Sequence, residues 1–184
     1  TITGAYADLN TSFAANAAGT ISGLGNEAVT ASGTTTVAQV NTLSGYTTGI
    51  VTATISDNDM STLDGITETG HALTISVTDS SVAASNLNTL DGKTTVAVAV
   101  TSTTVTGAYA DVNAAYAANT AGTISGLGNE AITLSGTNTV AQVNTIAALT
   151  SGVVTATISD NDMSTLAGLN ETGNAYTISV TDSS

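Results

Sequence analysis

TATISDNDMSTL stands at residues 52–63 and returns letter for letter at residues 155–166. Extended back to Val51, its first half alternates Val51, Ala53 and Ile55 with Thr52 and Thr54. Small and β-branched residues on a period of two predict a strand with one buried face. In its second half Met60 and Leu63 lie three apart, behind Asp57, Asn58 and Asp59. That is helical spacing behind a run of helix-capping residues.

The copy belongs to a longer pattern. GAYADLN at residues 4–10 returns as GAYADVN at 107–113, ISGLGNEA at 21–28 returns at 124–131, and TISVTDSS at 74–81 returns at 177–184. The offset is 103 residues, and 61 of the 81 positions compared between 1–81 and 104–184 are identical. A fixed long period is the mark of a repeat array. The sequence thus divides into a first long repeat, 1–103, and a second, incomplete one, 104–184. The pattern is open at both ends, so a continuous fragment of a longer array is expected.

A finer period lies inside. Strand-like runs recur at residues 51–56, 72–77, 95–100, 131–135, 154–159 and 175–180. Their marker positions Ile55, Val77, Val100, Leu134 and Ile158 stand 22, 23, 34 and 24 apart, so one period holds four coils, one enlarged. Between the strands, residues 58–65, 82–92, 108–119 and 139–146 have helical character, and V-N-T-L or a variant recurs at 40–43, 87–90 and 143–146. A strand, a short helix and a return predict an α/β or mainly β solenoid of parallel strands with short helices. The spacing resembles leucine-rich repeats: Ala156, Ile158, Asn161, Met163 and Leu166 fall close to that pattern, although Ser80, Ser183 and Thr103 take the Asn161 place in other coils. The alternative is tandem immunoglobulin-like β-sandwich modules. About five strands per repeat, against roughly seven, and the absence of Pro weigh against it.

Composition narrows function. Fourteen acidic residues face one basic residue, Lys93, for a net charge of −13. Nucleic acid and anionic lipid both need Lys or Arg, so neither is an expected partner. No apolar run approaches membrane-spanning length, so no membrane insertion is expected. Without Cys there are no disulfides or thiolate metal sites. Aromatic residues make up only 3%, so the core must come from Val, Ile, Leu, Ala and Thr methyls.

The chemistry-bearing candidates are aspartates. Aligning Ile55 with Val77 makes Asp57 equivalent to Asp79 in the adjacent coil, and Asp160 to Asp182 likewise. Stacked carboxylates about 5 Å apart repel unless a cation intervenes. With Asp59 and Asp162 they form the candidate metal set, and calcium is the hard cation that oxygen ligands suit. The competing reading has Asp57 and Asp160 cap the short helices that follow them. His71 becomes Asn174 in the second copy, which predicts a solvated turn residue. Gly23 and Gly25, with Gly126 and Gly128, read as a turn. The sequons at Asn10 and Asn170 do not recur between the copies, so chance accounts for them. No nucleophile, base and acid come together in the sequence, so no enzyme is expected.

The near-identical long repeat, the acidic Lys-poor composition and the lack of Cys resemble the giant Thr/Ser/Asn-rich tandem-repeat surface proteins of bacteria, including marine cyanobacteria. The resemblance implies a secreted, cell-surface structural or adhesive role. A structural array would form a rod, stalk, sheath or filament by stacking on neighbouring copies of the repeat. The second reading is a calcium-dependent adhesin that binds a surface or glycan. A solenoid polysaccharide-active enzyme is a distant third.

Overall fold

In the computed structural model, which describes residues 1–181, the alternating runs are strands and the Ala- and Asn-rich runs are helices. The chain passes through β1 (Ile2–Gly4), α1 (Tyr6–Ala17), β2 (Val29–Thr35), α2 (Val37–Tyr46), β3 (Val51–Ile55) and α3 (Met60–Leu63). It continues through β4 (Ala72–Thr74), β5 (Ser76–Val77), β6 (Ser81–Ala83), α4 (Ala84–Asp91), β7 (Val98–Val100) and β8 (Thr104–Gly107). Then come α5 (Tyr109–Ala121), β9 (Ile124–Ser125), β10 (Ala131–Asn138), α6 (Val140–Ala147), β11 (Val154–Ile158), α7 (Met163–Leu166) and β12 (Ala175–Thr177). Helices therefore begin at Tyr6, Val37, Met60 and Ala84, and the series restarts at Tyr109, one long period after Tyr6.

The chain forms two compact units whose limits differ from those of the sequence period. The first comprises Thr1–Thr78 and Thr89–Ala99. Its sheet runs β1-β2-β3-β4 in chain order, and every ladder is parallel. Ile2 pairs with Val29, Val29 with Val51 and Thr52 with Ala72, so successive strands are offset by 27, 22 and 20. Val51, Ala53 and Ile55 point inward and Thr52 and Thr54 outward, as a two-residue period requires. The helices lay Val37, Val40 and Leu43, then Met60 and Leu63, into the same core. Burying branched aliphatics at about 25 cal/mol per Å² is what holds so thin a layer together.

The second unit comprises Asp79–Asn88 and the chain from Val100 onward. Its sheet has the order β12-β11-β10-β8-β6, again parallel throughout. Val82 pairs with Val105, Val105 with Ile132, Ile132 with Val154 and Thr155 with Ala175, so the offsets of 27, 22 and 20 recur. The protein is thus α/β, with parallel sheets and short helices. The sandwich alternative is overturned, because immunoglobulin-like sheets are antiparallel.

Two details depart from the sequence reading. First, the observed offset after β3 is 20, not 22, with Thr54 beside Thr74. A slip of two residues leaves every side chain on its own face, so alternation cannot tell the two registers apart. Second, the ladder between β2 and β3 jumps from Thr30–Thr52 to Thr34–Thr54, and the β10–β11 ladder jumps likewise. Gly33 and Gly136 sit in these bulges at φ of 76° and 70°, a backbone region that costs a side chain but not glycine.

Candidate functional site

Four of the sequence-nominated carboxylates, Asp57, Asp59, Asp160 and Asp162, are engaged with backbone. Asp57 Oδ2 accepts the Val37 N–H at 2.7 Å, and Asp160 Oδ2 accepts the Val140 N–H at 2.7 Å. Each therefore fastens the N-terminus of the helix that precedes it, not of the helix that follows. The following helices are capped by Asp59 and Asp162. Asp59 Oδ1 accepts from the Ser61 hydroxyl at 2.6 Å and the Thr62 N–H at 3.0 Å. Asp162 Oδ1 accepts from the Ser164 hydroxyl at 2.6 Å and the Thr165 N–H at 2.8 Å. Those hydroxyl bonds, then the backbone ones, hold both carboxyls below their ordinary range, with Asp162 at about 2.

The register moves the aspartate pairing. The offset of 20 at Thr54–Thr74, against the expected 22, takes Asp79 out of step with Asp57, and beyond that ladder the Thr78 N–H donates to the Asn58 carbonyl at 2.9 Å. Asp79 belongs to the second unit, and Asp182 lies outside the described residues. Among the described residues, no three His, Cys, Asp or Glu side chains gather where they could hold a metal ion.

His71 is more than a turn residue. Its Nδ1 accepts the Val51 N–H at 3.2 Å, and Asn174 Oδ1 accepts the Val154 N–H at 2.9 Å. Imidazole and amide exchange between the repeats because each offers an acceptor at the same reach. Burial lowers the His71 pKa, against a weaker upward pull from Glu68. Lys93 reaches the Thr67 carbonyl at 3.5 Å. Asn10 accepts the Tyr46 hydroxyl at 2.9 Å, and the Tyr46 ring stacks on Phe13 at 5.2 Å.

The Gly-Leu-Gly elements are turns tied by the glutamate that follows. Glu27 Oε2 accepts the Gly25 N–H at 2.7 Å, and Glu130 Oε2 accepts the Gly128 N–H at 2.8 Å. The two glutamates differ in surroundings. Glu27 is half-buried, whereas Glu130 is 2% exposed and also receives the Tyr116 hydroxyl at 2.8 Å. The residue matching Tyr116 in the first repeat is Phe13, so a hydroxyl appears where the carboxylate is buried. Burial and the Glu130 partner push the Tyr116 phenol above its ordinary pKa. Glu130 Oε1 and Ser102 Oγ have no hydrogen-bond partner, and both residues line a hollow of about 370 Å³. A wider hollow of about 480 Å³ is bordered by Ser44, Tyr46, Thr47, Glu68 and His71. There the Ser44 hydroxyl donates to the Val40 carbonyl at 2.9 Å and His71 Nδ1 is held by Val51, so hydroxyl and imidazole serve the backbone, not each other.

Sequence reasoning missed the asparagines of the V-N-T-L elements. Asn41 donates to the Gly65 carbonyl at 2.7 Å and accepts the Thr67 N–H at 3.2 Å. Asn144 does the same with Gly168 and Asn170, and Asn88 donates to the Asp111 carbonyl. Asn41 and Asn144 thus close the turn after the next helix, and Asn88 reaches the next helix itself. The available signal was the Asn at one fixed place in all three recurrences.

No family model, curated protein or solved structure matches this chain. The two copies of the repeat differ in the burial of a few apolar residues. Ile75 and Val77 are 1% and 0% exposed, yet their copies Ile178 and Val180 are 42% and 52% exposed. Met60 and Met163 differ in the same direction, and Ile21 and Ile124 in the opposite one. Identical local sequence is buried in one repeat and bare in the other.

Proposed function

We propose that this chain is part of an extracellular structural array, a solenoid whose coils stack into a rod, stalk, sheath or filament at the cell surface. One observation carries the reading: in the four-stranded and the five-stranded sheet the member strands follow one another in chain order, parallel, and share the offsets of 27, 22 and 20, while β5, β7 and β9 form a third sheet. Such a ladder has no built-in last rung. Each strand presents an edge that fits the next, the condition under which repeat proteins extend.

The engaged side chains support it. Asp57 and Asp160, Asn41 and Asn144, and His71 and Asn174 all bridge from one coil to a neighbour. These polar side chains hold neighbouring segments together. Outward Thr rows, with 14 acidic residues against one basic, suit an exposed and hydrated surface. We assign the chain no reaction, and its partners are further copies of the repeat.

The test is immunolabelling of the source cells with an antibody raised against the 184-residue chain. The reading expects label on intact, unpermeabilised cells, in extended structures. Label found only after permeabilisation would defeat it.

A further inference from the structure

We infer that the edge of the second unit formed by β12 and residues 178–181 is a strand acceptor, and that it takes a parallel strand with the sequence of residues 94–100 from a further copy of the repeat. The inference rests on the array reading and names the partner of its open edge.

The first unit displays the occupied form of this edge. Residues 71–77 there have a strand alongside: His71 and Thr94 form a parallel bridge, and the Thr95 N–H donates to the His71 carbonyl at 2.9 Å. The Leu73 N–H donates to Thr94 Oγ1 at 3.0 Å, that hydroxyl donates on to the Leu73 carbonyl at 2.7 Å, and the Ala99 N–H reaches the Ile75 carbonyl at 3.0 Å. With this strand in place, Ile75 and Val77 are fully buried.

The second unit offers the same surface uncovered. Residues 174–180 read NAYTISV against HALTISV at 71–77, so five of seven positions are identical. β4 and β12 both end their sheet orders, but β5 after β4 is paired with β7, whereas among the described residues no strand pairs with the segment after β12. Ile178 and Val180 are 42% and 52% exposed. An apolar edge of this kind is completed by strand addition: main-chain bonds supply affinity, and alternate side chains supply specificity. The segment TTVAVAV at residues 94–100 meets both needs, since Thr94 carries the bridging hydroxyl and Val98 is buried in the first unit.

The experiment adds a fluorescent peptide with the sequence of residues 92–102 to the whole 184-residue chain and follows anisotropy. Saturable one-to-one binding is expected, with slowed amide exchange over residues 174–181. The double substitution Ile178→Asp and Val180→Asp should weaken binding at least about tenfold, a loss of about 1.4 kcal/mol. Both positions are exposed, so the thermal melt of that variant should match the parent and exclude misfolding. A peptide of the same composition in scrambled order should not bind. No saturable binding, or equal binding by the scrambled peptide or the Asp variant, overturns the inference. The array reading is judged separately, by labelling of cells and by the dimensions of longer repeat chains in solution. It can stand while the strand acceptor falls.

Discussion

Single polar side chains tie neighbouring strand and helix segments together. Asn41 and Asn144 each satisfy one donor and one acceptor in the next turn, so their loss leaves two backbone groups without that partner. Asn41→Ala and Asn144→Ala should each cost about 1–2 kcal/mol, measurable by urea unfolding, and neither should change the m-value. His71 makes a different prediction, one about pH. Its Nδ1 must be unprotonated to accept from Val51, and burial lowers its pKa. The unfolded chain therefore takes up this proton first, as pH falls through about 6.5. Stability should decline as pH drops through that point and level off below the lowered folded pKa. His71→Asn, the residue the second repeat carries, keeps an acceptor and should flatten that slope. Thermal melts at about pH 5.5 and about pH 7.5 make the comparison, within the range where histidine is the side chain that titrates. An equal slope in both proteins would contradict the assignment.

Helix ends and strand registers are settled one scale up. Asp57 and Asp160 tie a helix N-terminus to the strand end that follows it, so Asp57→Ala and Asp160→Ala should each lower stability by about 1–2 kcal/mol. Asn at either place keeps the acceptor and should recover most of the loss. Because these carboxylates already accept backbone N–H groups, millimolar calcium should raise the melting temperature no more than magnesium does. A large calcium-specific rise would show that the aspartates serve a cation. Gly152 gives a steric test at the same scale. A Cβ there would collide with the Glu130 carbonyl oxygen, and Gly49 stands in the same relation to Glu27. Gly152→Ala should therefore cost roughly 1–3 kcal/mol, seen as a lower unfolding midpoint.

Much of this element-scale picture is legible in the letters. Residues 51–56 and 154–159 declare strands through alternation, and residues 139–146 declare a helix. Val40, Leu43, Leu87, Leu90, Val143 and Ile146, marked by the recurring V-N-T-L, are all at most 1% exposed. What the letters hide is register. Period-two patterning is blind to a two-residue slip, so the partner of Asp57 could not be read from it. The glycine bulges at Gly33 and Gly136 are equally silent, since Ser-Gly-Thr reads as a turn as readily as a bulge. The backbone partners of Asn41 and His71 depend on which strand lies beside which, and that becomes known only once the register is fixed.

At the scale of the whole molecule, the proposal is that coils add without limit along one axis. The apolar residues bare in one repeat and buried in the other are what an extendable array requires. Ile178 and Val180 are exposed where Ile75 and Val77 are buried, and Ile21 is exposed where Ile124 is buried. Stability should then rise with repeat number, as interfaces between neighbours accumulate faster than open ends. The most direct measurement is small-angle scattering on chains of two, three and four of the long repeats. Four coils stacked at about 4.8 Å predict a maximum dimension that grows linearly, by about 19 Å per repeat, at constant cross-section. Growth by roughly 34 Å per repeat, the diameter of a separate domain of about 100 residues, would contradict the account and describe beads on a string.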